Sequence, residues 1–286
     1  MDVKKKWLFE WSVEELEALK NERVYSLEIE SSNSRTRYSV DELIPIKKKI
    51  LKIVEKAPKP ALDDPDREKK IFAYVYVVLA NMIEYDEQAS KAMDMNGYYR
   101  ERAYDDIERA KGLNGLVTGK ALCSGYSNIL MNILFEFGIE TRYISASGKE
   151  GMHAWNQVCL DGVWYNCDLT NDSDFILCGL KAPYFLKSHA EFGEGETHKY
   201  TQYSSTCGAK FCKESVSDEK QELLIEEAKE IIEKERIRMA EIRTQKEAEQ
   251  RAREEEVRKS KGFIGMLKSF FEKVILSKKE KNTSRR

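Results

Sequence analysis

The apolar residues in the central part of the chain recur at the spacing of core-facing helices. One stripe consists of Ile71, Tyr74, Val75, Val78, Leu79 and Met82. A second stripe consists of Ile129, Leu130, Ile133, Leu134 and Phe137, and Gly138 is well placed to end its helix. The pair Asp64-Pro65 predicts the start of the first helix, as an N-cap followed by a first-turn proline. That helix is expected to end near residues 85–86, and the polar residues 87–118 give no clear assignment.

The residues that follow the second helix predict a β-meander. Strands are expected over residues 141–146, 153–160 and 163–168. The last two are joined by Asp161-Gly162, a strong signal for a two-residue hairpin turn. This turn places Leu160 opposite Val163 and Trp155 opposite Asp168. His153 then shares a face with Asp168, one diagonal step away, and diagonal neighbours are within reach of long side chains.

Helix signals also occur in the N-terminal region. Two capping boxes are formed by Ser12 with Glu15 and by Ser39 with Glu42. A strand is predicted over residues 24–31 and a helix over residues 44–56. Prolines at positions 58, 60 and 65 then mark a linker, so residues 1–64 are interpreted as an N-terminal accessory region.

The composition changes sharply near the C-terminus. Residues 217–259 contain 14 acidic and 11 basic residues without glycine or proline, which predicts a long, solvated helix over 213–260. A coiled coil stays open, but no sustained heptad supports it. Residues 261–286 form a basic amphipathic tail whose apolar face consists of Phe263, Ile264, Met266, Leu267, Phe270, Phe271, Val274 and Ile275. This face either packs back on the domain or docks on an anionic membrane surface or a partner protein.

Length, charge and hydropathy narrow the class of protein. The 286 residues suffice for one sizeable core with extensions, and a net charge of −2 gives no nucleic-acid signal. No stretch reaches the roughly 20 apolar residues of a membrane span, and the N-terminus lacks a signal-peptide run. We therefore expect a soluble, cytoplasmic protein, peripheral to a membrane if its tail docks there. Its six cysteines are expected to be free thiols.

Cys123 has the context of a reactive cysteine. It lies at the predicted start of the second helix, where backbone N–H groups and the helix dipole favour a thiolate. Without its partners, Cys123 would more readily be interpreted as a small buried apolar residue. Together with His153 and Asp168, it has the types for a catalytic triad: the thiolate attacks a carbonyl, the imidazole moves the proton and the carboxylate orients the imidazole. The backbone N–H of Cys123 is a candidate oxyanion donor.

Three motifs in this order resemble the transglutaminase-like superfamily, especially its bacterial members. They are Cys-Ser-Gly-Tyr at 123–126, His-Ala-Trp-Asn at 153–156 and Trp-Tyr-Asn-Cys-Asp-Leu-Thr at 164–170. The resemblance covers roughly residues 70–205, and the catalytic core is delimited as 65–212. It implies an α+β, papain-like fold, with the nucleophile helix packed on an antiparallel sheet, and it implies the triad roles of Cys123, His153 and Asp168.

The resemblance leaves the reaction open among peptidases, deamidases, glutamine–lysine cross-linkers and noncatalytic binding modules. Hydrolysis of a peptide or glutamine carboxamide through a thioester is slightly preferred, because water is always available as the acceptor. The alternative is a noncatalytic protein that recruits partners through its C-terminus. Trp155 and Tyr126 are candidate substrate-binding residues, although both are also plausible core residues. No cofactor is implied, and a zinc site is the less favoured interpretation of Cys178, His189, His198, Cys207 and Cys212.

Overall fold

The computed structural model describes residues 7–31, 34–92, 104–148, 151–194, 202–203 and 210–283. The chain divides into two compact units, Met1–Ile232 and Glu233–Arg286. The predicted catalytic residues all lie in the first unit, and the basic tail lies in the second. Among the described cysteines, Cys123, Cys159, Cys167, Cys178 and Cys212 are free thiols, as expected.

The first unit mixes helices with short sheets. After a 3-10 turn at Leu8–Glu10, its N-terminal elements are α1 (Val13–Asn21), β1 (Ser26–Ser31), β2 (Ser34–Ser39) and α2 (Val40–Lys56). The central elements are α3 (Arg67–Met82), β3 (Glu84–Tyr85), α4 (Glu87–Ala92), α5 (Tyr104–Lys111), α6 (Gly115–Thr118), β4 (Lys120–Ala121) and α7 (Cys123–Glu136). The later elements are β5 (Thr141–Gly148), β6 (Gly151–Leu160), β7 (Val163–Cys167), α8 (Leu169–Leu177), α9 (His189–Glu194) and β8 (Gln202–Tyr203). The last helix, α10 (Asp218–Thr283), begins here and continues into the second unit.

The core is organised around α7, which packs on an antiparallel sheet. The sheet has the strand order β7-β6-β5-β8, and α7 contacts both β5 and β6. On its other sides α7 contacts α3, α5 and α8. This arrangement confirms the predicted α+β class, with the nucleophile helix on an antiparallel sheet.

The hairpin of β6 and β7 has the predicted register. Leu160 pairs with Val163, and the ladder runs to Asn156 opposite Cys167. Both turn residues have positive φ, 52° at Asp161 and 79° at Gly162, as a type I′ turn requires. The ladder ends one residue before Asp168, because Asp168 leaves the strand to start α8.

The N-terminal region shares the core of the first unit. Both predicted capping boxes form, and they start α1 and α2. Buried Lys47 of α2 pairs with Glu136 at the end of α7. Tyr38 of β2 accepts a hydrogen bond from the backbone N–H of Leu113 at 2.9 Å. Residues 1–64 therefore hold α7 directly, and their apolar side chains belong to the same hydrophobic cluster as those of α3 and α7.

The predicted boundaries of the first central helix are wrong at both ends. The helix begins at Arg67, not at Pro65, since the Asp64 carboxylate accepts the backbone N–H of Asp66 at 2.9 Å and closes a separate turn. It ends at Met82, and the chain then forms the short strand β3, which pairs in parallel with β4. The unassigned residues 87–118 include the short helices α4 to α6.

The C-terminal helix continues without a break through Gly262 and Gly265. Within the first unit, its apolar residues Leu224, Ile225 and Ala228 are buried. In the second unit, most of the described side chains from residue 233 to residue 259 are exposed and carry charge, as the sequence predicts. The side chains of residues 260–264 and 266–286 lie outside the described residues. No helix in the described part of the chain is long and apolar enough to cross a membrane.

Candidate active site

Cys123 is the first residue of α7, as the sequence predicts. The preceding residue, Leu122, is the N-cap and donates its backbone N–H to the carbonyl of Ala110 in α5 at 2.9 Å. The backbone N–H of Cys123 comes before the first turn of the helix closes, so its own helix offers it no acceptor. The Cys123 side chain is partly exposed. The fold thus presents a thiol at a helix N-terminus with a route to solvent.

His153 and Asp168 are in direct contact. The Nε2 atom of His153 lies 2.7 Å from Oδ2 of Asp168. The histidine side chain is 20% exposed and the aspartate is fully buried. The Cys123 side chain is close enough to hydrogen-bond to the imidazole and to raise its pKa. The imidazole therefore interacts with both the thiol and the carboxylate.

The surroundings of His153 favour its protonated form. Burial by itself lowers the pKa of the imidazole, but the neighbouring Asp168 carboxylate and the Cys123 side chain together raise it to about 10. Because this pKa is above the ordinary value of 6.5, the interaction stabilises the fold fully below pH 6.5. The stabilisation is lost as the pH rises through about 10.

Asp168 is held by the helix that it starts. It is the N-cap of α8, and its Oδ1 atom accepts the backbone N–H of Asn171 at 3.2 Å. The side-chain amide of Asn171 donates to Oδ2 at 2.7 Å, so the same oxygen contacts both Asn171 and His153. Sequence reasoning missed Asn171. The available signal was an aspartate three residues before an asparagine at the start of a helix.

Asn156 sets the position of the nucleophile helix against the sheet. Its side chain is buried on β6, and its amide donates to the carbonyl of Ser127 in α7 at 3.1 Å. The same amide donates to the carbonyl of Arg142 in β5 at 3.3 Å. These bonds link the first turn of α7 to the strands beside His153. The asparagine of the His-Ala-Trp-Asn motif therefore has a structural role, which is to join α7 to the sheet.

The two candidate substrate-binding residues are both buried. Trp155 is 2% exposed, and its ring lies parallel to His153 at 6.3 Å between centroids. It packs with Ile144, Ala146 and Phe192 in a small cluster behind the histidine. Tyr126 is 1% exposed, and its hydroxyl donates to the carbonyl of Ile83 at 2.8 Å. These placements favour the core interpretation of both residues over direct contact with substrate.

A second buried carboxyl lies one helical turn beyond Asp168. Asp172 accepts the Tyr76 hydroxyl at 2.8 Å and the backbone N–H of Tyr184 at 2.9 Å. Burial raises the pKa of Asp172 well above its ordinary value, against the opposing effect of these hydrogen bonds. No sequence pattern indicated a role for Asp172. It ties α3 and the segment before α9 to α8, directly beneath the candidate site.

Two of the residues considered for zinc, His189 and Cys212, are joined by a hydrogen bond. The backbone N–H of Cys212 donates to Nδ1 of His189 at 3.2 Å, and Asn166 donates to the same nitrogen at 3.3 Å. Burial lowers the pKa of His189 below its ordinary value. Cys178 is exposed at the end of α8, and His198 and Cys207 lie outside the described residues. Among the described side chains, no group of three or more potential ligands is placed to hold a metal ion.

The arrangement is chemically suited to acyl transfer. A thiol at a helix N-terminus has a base within hydrogen-bonding distance, and a carboxylate fixes the far side of that base. Asn81, a weak candidate for a second oxyanion donor, instead donates its amide to the carbonyl of Val77 in its own helix at 2.8 Å. The backbone N–H of Cys123 stays the candidate oxyanion donor.

Comparison with known proteins finds similarity to one protein family and to solved structures. The sequence profile of the transglutaminase-like superfamily matches residues 52–169. A crystal structure described as a TGase is 22% identical, covering 55% of this chain and 37% of its own, with a TM-score of 0.35. A candidate cysteine protease from Cytophaga hutchinsonii is 14% identical, covering 44% of this chain and 37% of its own, with a TM-score of 0.30.

No curated protein matches the chain. The region aligned with the two solved structures spans little more than a third of each of those chains. The profile match includes Cys123, His153 and Asp168. Residues 52–169 of the chain are therefore similar to the transglutaminase-like superfamily.

Proposed function

We propose that the protein is a cysteine-dependent acyl-transfer enzyme acting on peptide or glutamine carboxamide carbonyls. The observation that carries this proposal is the position of His153, which contacts both the Cys123 side chain and the Asp168 carboxylate. A structural histidine needs one satisfied partner. A histidine held on one side by a buried carboxylate and facing a partly exposed thiol on the other has the geometry of a general base.

In the first half-reaction, the Cys123 thiol transfers its proton to His153, and this transfer produces the imidazolium form that the site favours at neutral pH. The thiolate attacks the carbonyl carbon, so a C–S bond forms and the carbonyl electron pair moves onto oxygen. The backbone N–H of Cys123 donates to this oxyanion. When the tetrahedral intermediate collapses, the C–N bond breaks, and the imidazolium gives its proton to the departing amine or ammonia. The product on the enzyme is a thioester.

In the second half-reaction, His153 takes a proton from the acyl acceptor. With water, the C–O bond forms, the C–S bond breaks and a carboxylic acid leaves. With a primary amine, the same steps give an amide cross-link. Hydrolysis is the preferred outcome, because water needs no dedicated site. Asp168 stays ionised throughout and stabilises the imidazolium form of His153.

The rival function is a noncatalytic interaction protein that keeps the fold. It would need neither a partly exposed thiol nor a buried carboxylate behind the histidine. The two functions differ in thiol reactivity. A catalytic Cys123 reacts with iodoacetamide faster near neutral pH than the other cysteines do, and that difference disappears in His153→Ala.

The decisive experiment compares the wild-type enzyme with Cys123→Ala and with Cys178→Ala, a matched change at an exposed cysteine. Each protein is incubated with a library of glutamine-containing peptides, with and without a primary amine. Released ammonia, incorporated amine and new peptide N-termini are then measured separately. We expect Cys123→Ala to lose at least about a thousandfold in rate and Cys178→Ala to match the wild type. Activity of Cys123→Ala within about tenfold of the wild type would assign the reaction to another nucleophile.

The proposal includes a role for the basic tail. Residues 261–286 would bring the enzyme to an anionic membrane surface, with a partner protein as the other candidate. The support is the composition of the tail, which has eight basic and two acidic residues from 260 to 286 beside a helical apolar face. No nucleic acid is proposed as a partner.

A further inference from the structure

We propose that Asn171 is a positioning residue for the cysteine site and that its side-chain amide fixes the carboxylate that holds His153. This inference rests on the proposed function, since it concerns the geometry of the same catalytic group. Asn171 does not contact the thiol or any reacting atom. Its effect is transmitted through Asp168.

The contacts distinguish two roles for Asn171. Its backbone N–H donates to Oδ1 of Asp168 at 3.2 Å, which is ordinary helix capping. Its side-chain Nδ2 donates to Oδ2 at 2.7 Å. Capping needs only the first bond, and any residue except proline can supply it at position 171. The second bond depends on the asparagine side chain.

The bond from the Asn171 side chain is made to Oδ2 of Asp168, the oxygen that also contacts His153. Oδ2 is the atom that contacts Nε2 of His153 at 2.7 Å. With only the Oδ1 cap, the carboxylate could turn about its Cβ–Cγ bond and move Oδ2 away from the imidazole. Donors on both oxygens remove that freedom. A hydrogen bond donated to a carboxylate also stabilises its charged form, which a fully buried aspartate needs.

Four titratable groups in the described part of the chain interact electrostatically with Asp168. They are His153 of β6, Cys167 of β7, Asp172 of α8 and Tyr76 of α3. Tyr76 gives its hydroxyl hydrogen bond to Asp172 at 2.8 Å. His153 is the group being positioned. The amide of Asn171 is therefore a side-chain donor that can fix Oδ2 without taking part in proton transfer.

Two substitutions of similar size test the role. Asn171→Leu keeps the backbone cap and removes the side-chain donor at every pH. Asn171→Asp keeps the cap and the shape, but it puts a second carboxylate beside Oδ2. Two carboxylates in contact share a proton, and one of them titrates at a raised pH. When protonated, the new aspartic acid can donate an O–H to Oδ2 in place of the lost N–H.

The experiment measures kcat/KM from pH 5 to pH 8 for the wild type and both variants. At pH 8 we expect both variants to lose about tenfold to a hundredfold, as for a hydrogen bond to a charged group. As the pH falls to 5, the ratio of Asn171→Asp to wild type should rise by about tenfold. The ratio for Asn171→Leu should stay flat. Parallel pH profiles for the three proteins, or wild-type activity in Asn171→Leu, would overturn the proposal.

A second measurement does not depend on turnover. The Nε2 proton of His153, held against Asp168, should give a downfield proton NMR signal in the wild type that is absent from Asp168→Asn. We expect this signal to be lost from Asn171→Leu at neutral pH and to be present in Asn171→Asp at pH 5. An unchanged signal in Asn171→Leu overturns the positioning role. A wild type that shows the signal and lacks Cys123-dependent activity contradicts the proposed function alone. If Asn171→Leu does not fold, the pH dependence of Asn171→Asp decides.

Discussion

At the scale of single residues, two opposing effects determine the pKa of His153. Burial disfavours the imidazolium, whereas the Asp168 carboxylate and the Cys123 side chain favour it, and the net result is a pKa raised to about 10. At neutral pH the histidine is then protonated and can give a proton to a leaving amine. Asp168 decides this balance, because it contributes both a charge and a hydrogen bond to Nε2.

Replacing Asp168 with asparagine should reverse the shift at His153. Asp168→Asn removes the charge, so the lowering effect of burial prevails and the pKa of His153 should fall to or below its ordinary 6.5. The chain has three histidines, which makes an NMR titration with labelled histidine straightforward to assign. In the same experiment His189 should titrate below its ordinary value in both proteins, as an internal reference. A His153 pKa that stays near 10 in Asp168→Asn would show that Asp168 is not its main partner.

The sequence could predict that His153 and Asp168 lie together. It could not predict the residues that hold them in place. The Asp161-Gly162 turn sets the register, and the register brings His153 to the same face as Asp168. Asn171 and Asp172 escaped prediction because their roles depend on α8 starting at Leu169, directly after Asp168. The apolar alternation of β7 gives no sign that the strand ends one residue before the carboxylate.

At the scale of elements, the position of Cys123 depends on how closely α7 approaches α5. Gly125 lies at the closest point. A Cβ atom at this position would lie 2.2 Å from the Ala110 carbonyl oxygen and 2.9 Å from the Cβ of Ala121. The Ala110 carbonyl also accepts the backbone N–H of Leu122, the N-cap of α7. The glycine in the Cys-Ser-Gly-Tyr motif is thus required by packing, two residues after the nucleophile.

Gly125→Ala should therefore displace the start of α7. The clash involves a backbone oxygen, which a side-chain rotation cannot relieve, so we expect a loss of about 1–3 kcal/mol in unfolding free energy. Cys123-dependent activity should fall as well, because the nucleophile moves relative to His153. The matched control is Gly193→Ala in α9, where a new Cβ meets nothing within 4 Å. Equal denaturation midpoints for the two variants would disprove the close approach of α5 and α7.

Elements with a clear apolar period were predictable, and those defined by tertiary pairing were not. The stripe from Ile129 to Phe137 identified α7, and Gly138 ends it with a φ of 73°. The strands β3 and β4 have two residues each, and each exists only because the other pairs with it. The misplaced start of α3 has a similar cause. The bond from the Asp66 N–H to the Asp64 carboxylate closes a turn around Pro65, and the helix begins only after this turn.

At the scale of the whole molecule, the N-terminal region is a structural part of the unit that carries the site. The sequence indicated an N-terminal accessory region, because prolines follow α2. The contacts that join it to the core are long-range, such as Lys47 with Glu136 and Tyr38 with Leu113, so no local pattern could predict them. The buried Lys47 ties α2 to the end of α7 opposite Cys123. An ion pair of this kind is costly to break from one side, since the remaining charge stays buried.

The basic tail, residues 261–286, is expected to bind an anionic membrane surface. The tail combines an apolar helical face with a net charge of +6 from eight basic and two acidic residues, a pattern suited to an anionic bilayer surface. We expect full-length protein to co-sediment with vesicles containing phosphatidylserine, and a chain ending at Lys259 to stay in the supernatant. Raising the salt concentration should weaken binding, because electrostatic attraction between exposed charges is screened. Replacing Phe270 and Phe271 with serine should also weaken vesicle binding, while the charge of the tail stays the same.

Equal binding of the full-length and shortened chains to the vesicles, or binding by neither, would exclude the lipid surface. The tail would then dock on a protein partner or pack against the chain itself. Because the shortened chain retains every residue of the candidate site, its activity on soluble peptides should match that of the full-length enzyme.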